Sequence, residues 1–371
     1  MICKRIAYEN FRNIEKEELL LSPGVNVIKG ENAQGKSNML EGIYFFARGR
    51  SFRASKDKEL IRFGEESAHL AIDYSRDGSD LTSTLTADVP SQGKKIITRN
   101  GARLSSLKEM IGSFRAVLFA PSHLTLVDGG PSLRRSFMDI ALSQLYPAYL
   151  DSLAQYNRAL GQRAALLKDA AAGKRVDSYL WEIYADQLAS SGARIAARRW
   201  EYICGLSESV DRFFADMTDG RERPSLVYRS DAMSEAESYE DIVSSGEKLL
   251  FEKITESLDK DIKYGINSHG VHRAAIAIRL NNKDARLYAS QGQRRSLALS
   301  MKLSEGEMAK RICGEYPVFL LDDVLSELDA GRRAFILSCL SERQIIVTSC
   351  EDHHFDQSNA NFITVKDGRI V

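Results

Sequence analysis

The stretch Gly30-Glu31-Asn32-Ala33-Gln34-Gly35-Lys36-Ser37 constrains this chain more than any other. It fits G-x-x-x-x-G-K-[ST]. A short apolar strand is predicted before it, over Val25 to Ile28 after the Ser22-Pro23-Gly24 turn. A helix is predicted after it, from Asn38 to Ala47, with Met39, Leu40, Ile43 and Phe46 on one side. Strand, glycine loop and helix in that order make a phosphate cradle. Backbone N–H groups from Gly30 to Asn38 and the positive end of the helix face the anion, Lys36 brings charge to the β and γ oxygens, and the Ser37 hydroxyl ligates magnesium.

A partner for that loop lies far down the chain. After Pro317, the run Val318-Phe319-Leu320-Leu321-Asp322-Asp323 is apolar and ends in two carboxylates, as suits a buried parallel strand presenting acid at its carboxyl edge. Asp322 is the expected magnesium partner of Ser37. Asp323 is placed to polarise an attacking water, so Asp323 and Lys36 are the expected catalytic residues. Gln344 to Thr348 reads as another buried strand, and Phe362 to Val371 as a hairpin turning at Asp367-Gly368. At the N-terminus, Ile2 to Ile14 and Glu18 to Leu21 read as strands.

The middle differs in character. From Ser132 to Phe214 the chain is alanine- and leucine-rich with helical spacing, broken at Gly173 and continuing through Gly192. Asp231 to Lys260 is acidic and serine-rich, and is expected to form a surface helix or two with loops. The resulting expectation is an α/β fold in three stretches, with residues 1–130 and 263–371 combining around an inserted helical subdomain, 131–262.

Composition adds exclusions. Lysine plus arginine and aspartate plus glutamate number 51 each, so nucleic-acid binding must come from local patches rather than net charge. Arg48, Arg50, Arg53, Lys56, Lys58 and Arg62 form one basic cluster; Arg194, Arg198 and Arg199 form another. The five cysteines, Cys3, Cys204, Cys313, Cys339 and Cys350, lack CxxC spacing and are expected as buried thiols. Without a bilayer-length apolar run or a signal-peptide h-region, the expected location is the cytoplasm.

One further turn decides among nucleotide-binding folds. Ser290-Gln291-Gly292-Gln293 precedes a helix expected from Leu297, yet has no glycine loop of its own. With the loop at Gly30 and the acids at Asp322, the sequence resembles an ABC-type P-loop ATPase head. Within that class it is similar to the RecF family, relatives of the SMC-type ATPases. The likeness runs through Asn10-Phe11-Arg12-Asn13, the glycine loop, Gly49-Arg50-Ser51-Phe52-Arg53, Phe119-Ala120-Pro121, Gly130-Pro131 with Arg134-Arg135, Gln162-Arg163 with Leu166-Leu167-Lys168, Ser290 to Gln293, and Leu320 to Asp329.

That resemblance implies ATP and Mg2+ as cofactors, and Ser290 to Gln293 as a signature motif closing on ATP held by a second copy. It implies Ser326 and Asp329 as the D-loop, an ATP-dependent homodimer, and slow hydrolysis. It also implies a role on DNA in recombinational repair, with RecR and RecO as partners in loading RecA; within the first basic cluster, Arg50, Arg53 and Lys56 are the expected DNA contacts. The chain departs from its relatives at several places. Ala274-Ala275 stand where two acids are common, Val271 replaces a usual proline, and Ser122 a frequent glutamate. Asp323, as in RecF-like proteins, stands where ABC-type sites usually have glutamate. No histidine ends the Gln344–Thr348 strand, leaving Thr348 or Ser349 to contact the γ-phosphate, with His353 and His354 expected at the surface. A transporter subunit would bring its glycine loop and signature closer together, an SMC-like structural protein would need long heptad arms, and a metabolite kinase would not need the signature turn.

Overall fold

The computed structural model describes residues 1–218, 220–233, 238–350 and 360–371; His353 and His354 lie outside them. The chain divides into two compact units, Met1–Thr125 with Ala298–Val371, and Leu126–Leu297.

The first unit holds two six-stranded sheets. One is antiparallel, in the order Ile14–Leu20, Ile2–Phe11, Ser67–Ser75, Thr82–Pro90, Ile96–Arg99, Ala102–Arg103. The other runs Arg369–Ile370, Ala360–Lys366, Val25–Lys29, Ile345–Ser349, Val318–Asp322, Ala116–Phe119; it is parallel except at Arg369–Ile370. Strands covered on both faces read as continuous apolar runs, and Val318–Asp322 is buried at every position. The helix Lys36–Arg48 packs against strands of both sheets, so it is buried from Met39 to Ala47 rather than along one stripe.

The single strand expected over Ile2 to Ile14 is instead the first arm of a hairpin. Asn10 and Arg12 take φ of 52° and 55°, and Phe11 pairs with Ile14. This turn has no Gly or Pro to announce it. The Phe362–Val371 hairpin forms as read, with Asp367 and Gly368 at its turn.

The second unit combines the helices Pro131–Leu145, Pro147–Ala171, Ser178–Thr218, Tyr239–Glu256 and Leu258–Tyr264 with a three-stranded sheet, Lys283–Asp284, Ala275–Leu280 and Pro224–Arg229. It reaches Leu297 rather than stopping at residue 262, because Ala275–Leu280 pairs along its whole length with Pro224–Arg229. Tyr239–Glu256 is more than a surface helix. It buries Ile242, Gly246, Leu250 and Ile254 at four-residue steps and packs on Ser178–Thr218. The second basic cluster is not a surface patch. Arg199 is buried and donates to Asp139 Oδ1 (2.8 Å), the Tyr149 hydroxyl (3.0 Å) and the Val271 carbonyl (2.8 Å), while Arg198 stacks on Tyr146 and Tyr239; only Arg194 is exposed. Of the cysteines only Cys3 is buried; Cys204 and Cys350 are exposed.

Arg163 is the buried polar centre of the second unit. It donates to Asp261 Oδ2 (2.8 Å), Asn267 Oδ1 (2.5 Å) and the Ile254 carbonyl (3.2 Å), joining three segments. Arg163→Met leaves the Asp261 carboxylate buried without its cation, and a loss of about 3 kcal/mol is expected. Guanidinium unfolding of the two proteins checks it; equal midpoints would refute the assignment.

Candidate functional site

Register brings the two halves of the site to one sheet edge. Ile28 aligns with Thr348, and Thr348 with Asp322, so the acid-bearing strand lies two strands from the strand that feeds the glycine loop. At ~4.8 Å per strand step the separation is about 10 Å, room for a phosphate chain between them.

The loop is shaped by what surrounds it. A Cβ on Gly30 would lie 2.3 Å from the Val365 carbonyl oxygen. Gly35 has φ of 106°, and a Cβ there would meet the Asn13 amide at 2.8 Å, so both positions require glycine. Gln34 is clamped by the C-terminal hairpin: its carbonyl accepts from the Gly368 N–H (2.9 Å), and its side chain from the Asp367 N–H (2.5 Å). Lys36, 6% exposed, is held inside the loop, where Nζ donates to the carbonyls of Gly30 (2.6 Å) and Glu31 (2.7 Å) and to Cys350 Sγ (3.3 Å). Cys350 Sγ in turn donates to Asn32 Oδ1 (3.0 Å). The helix from Lys36 has no side-chain cap and no acid in its first turn, which suits its N–H groups to an anion. Ala33, with φ of 65°, completes the turn, and Ser37 and Asn38 open the helix.

Thr348 organises the acidic edge. Its hydroxyl donates to Asp322 Oδ1 (3.0 Å) and accepts from the Asp323 N–H (2.9 Å), so one side chain orients the Asp322 carboxylate and anchors the backbone of Asp323. Asp323 sits at φ of 50°, where its carbonyl accepts from the Ser326 hydroxyl (2.7 Å). Asp329 caps the helix Ala330–Cys339 by accepting from the Arg332 N–H (3.0 Å), and that bond holds its carboxyl below the usual carboxylate range. Among the described residues, no cluster of His, Cys, Asp or Glu is large enough to hold a metal alone. The Ser37 hydroxyl and the Asp322 carboxylate are the donor types Mg2+ takes when phosphates complete its shell.

In the second unit, the signature turn is already the start of a helix. Gln291–Cys313 begins before the expected Leu297, because Ser290 and Gln293 form a reciprocal cap: Ser290 N–H donates to Gln293 Oε1 (2.5 Å), and Gln293 N–H to Ser290 Oγ (3.3 Å). The Gln293 amide also bonds Glu222. Ser290 and Gln291 are exposed, beside Leu287 (69% exposed) and Tyr288 (70%).

The first basic cluster separates into different roles. Arg48 turns back to the Ser51 carbonyl (3.3 Å), and burial lowers its pKa. Arg53 donates to Asn38 Oδ1 (2.8 Å), which places it beside the glycine loop, and Arg62 pairs with Glu15 (3.5 Å). Arg50, Lys56 and Lys58 are exposed. Neither Asn13 nor Cys350 has a role legible in the sequence; Asn13 accepts from the Asn38 amide (2.8 Å) across the mouth of the loop.

Comparison with known proteins agrees with this geometry. Residues 2–370 match the family described as RecF/RecN/SMC N terminal domain. The DNA replication and repair protein RecF of Clostridium perfringens is 37% identical, covering 100% of this chain and 99% of its own. A solved structure described as the recombination mediator protein RecF-ATPrS in the RecFOR pathway is 36% identical with a TM-score of 0.92, covering 100% and 97%. An Smc head bound to the C-winged helix domain of ScpA shares the fold at 18% identity and a TM-score of 0.57, covering 100% and 97%.

Next to the site, His123 follows the edge strand Ala116–Phe119 and accepts from the Ala120 N–H (3.1 Å) at Nδ1. Burial, then Lys302, pushes its pKa from 6.5 down to about 3. The unfolded chain therefore binds a proton below about pH 6.5 that the folded chain refuses until about pH 3. Stability is full above the unfolded value and falls with acid at roughly 1.4 kcal/mol per pH unit inside that window. Between pH 7 and pH 5 the wild type should lose roughly 2 kcal/mol more than His123→Gln. Unfolding midpoints at the two pH values test this, and parallel losses would refute it.

Proposed function

The chain belongs to the RecF family, and on that footing we propose that it is an ATP-dependent DNA-binding protein of recombinational repair and replication-fork restart. The observation that carries this reading is the single sheet edge where the glycine loop and the Thr348-bridged acids face the same space. Backbone N–H groups of Glu31, Asn32, Ala33, Gln34 and Gly35 wrap the phosphates of ATP, and Lys36 exchanges loop carbonyls for phosphate oxygens. Ser37 and Asp322 are the residues available to Mg2+, whose chemistry there is neutralisation of charge on the β and γ oxygens.

Ser290 to Gln293 serve the γ-phosphate on a second copy. The exposed Leu287 and Tyr288 beside them support a face that meets another subunit, and two such faces close a symmetric dimer with two composite sites. Ser326 and Asp329, just beyond the acid pair, are the D-loop residues of this reading. Arg50 and Lys56 contact DNA phosphates without base readout, as a repair protein acting at any sequence requires. Arg53 is nearer the nucleotide through Asn38. RecR and RecO are the expected partners in loading RecA, in the cytoplasm at the nucleoid; among the described residues no helix is long and apolar enough to cross a membrane.

Sedimentation with and without ATP and gapped DNA tests the reading. The wild type should dimerise only with ATP. Ser290→Arg should bind ATP and remain monomeric; an ordinary ATP-dependent dimer of this variant would sink the assignment across subunits.

Asp323 sets the rate. Its side chain is one methylene shorter than glutamate, and activation of water tolerates displacements of only about 1 Å, so turnover is slow. Asp323→Asn should keep ATP while trapping the dimer, and dissociation from duplex DNA at saturating ATP should slow. Release as fast as wild type, with hydrolysis lost, would show that hydrolysis does not time release.

A further inference from the structure

We propose that a groove along the free edge of the antiparallel sheet, where Lys94 and Arg103 converge, is a second binding site for the sugar-phosphate backbone of duplex DNA. The proposal rests on the DNA-binding reading above and extends it to residues outside the first basic cluster.

The groove measures about 680 Å³, and its lining includes Lys94, Lys95, Arg103, Ser105, Ser106 and Asp57. Among the described residues Asp57 is its only carboxylate, and it is already matched, since Lys95 Nζ pairs with it at 2.9 Å and also donates to the Gly49 carbonyl (2.8 Å). Nearby Glu109 accepts from the Ser105 hydroxyl, a neutral donor that does not cancel its charge, so the two cations Lys94 and Arg103 face one unmatched carboxylate. Lys94 and Arg103 are exposed and make no ion pair among the described residues. Arg50 follows Gly49 in sequence and Lys56 precedes Asp57, so two further exposed cations adjoin the floor that Lys95 ties together.

Edge-strand cations can also serve only to discourage pairing with another strand. That purpose explains Arg103, on the two-residue edge strand Ala102–Arg103, but not Lys94, which comes from the Ser91–Lys95 turn and lines the same hollow. Convergence of cations from two segments onto one concavity, with the Ser106 hydroxyl beside them, fits a row of phosphates. Among the described residues the lining contains no aromatic ring, so there is no stacking platform for unpaired bases and duplex is favoured over single strand.

The groove is also fastened to the nucleotide site. Gly49 caps the helix whose first residue is Lys36, about 20 Å away along 13 residues, so phosphate loop and groove sit at opposite ends of one buried helix.

The test is a salt series of anisotropy titrations with labelled duplex and the full chain at saturating ATP, comparing wild type with Lys94→Ala/Arg103→Ala. The slope of log affinity against log salt should fall by about 2, at ~0.9 for each phosphate no longer neutralised. ATP binding by calorimetry, unchanged in the variant, shows that the site at the far end of the helix is intact. If the alanine pair binds ATP poorly, Lys94→Gln alone is read the same way, with a fall in slope of about 1 expected. A wild-type slope in a variant that binds ATP overturns the groove and leaves the functional reading standing. A wild-type protein that binds no duplex overturns both.

Discussion

The carboxylate of Glu41, buried in the middle of the Lys36–Arg48 helix, is the interaction on which the nucleotide-binding unit turns. Arg12 grips it with two bonds, Nε to Oε2 at 2.9 Å and Nη2 to Oε1 at 2.8 Å, and the Ser51 hydroxyl bonds it from the other side. A buried charge is costly unless fully partnered, and here its partners come from the first hairpin and from the segment beyond the helix. The pair therefore fixes one position of the helix relative to both. Asn13, next to Arg12, reaches the loop at Gln34 and Asn38, and Ser51 Oγ orders the backbone N–H groups of Arg53 and Ala54. The pair thus aligns everything that touches the phosphate loop from the antiparallel sheet.

From the other sheet, alignment comes through the far end of the chain. Strands near residues 25, 116, 318, 345 and 360 interleave, and the terminal hairpin clamps Gln34. The N-terminal amine bonds the Tyr316 carbonyl (2.9 Å) and pairs with Glu315. Such pairings close very long loops, so their entropy must be offset by cooperative burial of the sheet rather than by local propensity. The glycine loop is thus held in its folded shape by a hairpin more than three hundred residues later. Full-length likeness to relatives follows from that topology, since a fragment ending before Asp322 would lack half the site.

This topology also explains what the sequence revealed. Gly30, Gly35, Lys36 and the Asp322-Asp323 pair were legible because their backbone geometry and chemistry are local: few other residues fit a left-handed turn against a neighbouring carbonyl, or end a buried strand in two acids. Charged side chains elsewhere were not. Arg199 looked like surface but is claimed by Asp139, sixty residues earlier, and Arg48 turns back to the Ser51 carbonyl. The fate of a long cation depends on which acceptor the fold brings within reach, and spacing along the chain does not carry that information. Thr348 was half-read: its place at the strand end was clear, but its bonds to the Asp322 carboxylate and the Asp323 N–H depend on the neighbouring strand's register.

Neutral net charge then takes on a different meaning. Of 51 basic residues, several of the arginines are spent inside the protein: Arg115 on Glu315, Arg134 on the carbonyls of Val127 and Gly129, Arg163 on Asp261, Arg199 on Asp139. Where the exposed cations Arg50, Lys56, Lys94 and Arg103 gather, Asp57 is matched by Lys95, whereas Glu59 and Glu109 accept from neutral donors, the Ser55 hydroxyl with the Lys56 N–H and the Ser105 hydroxyl, which do not cancel their charge. A surface field depends on the charges left unmatched at one place, and it falls off within about 8 Å at physiological salt. A chain with no net charge can therefore present a locally positive face next to its nucleotide-binding helix. Such a local field orients a polyanion at one face, which a uniformly basic protein would not do.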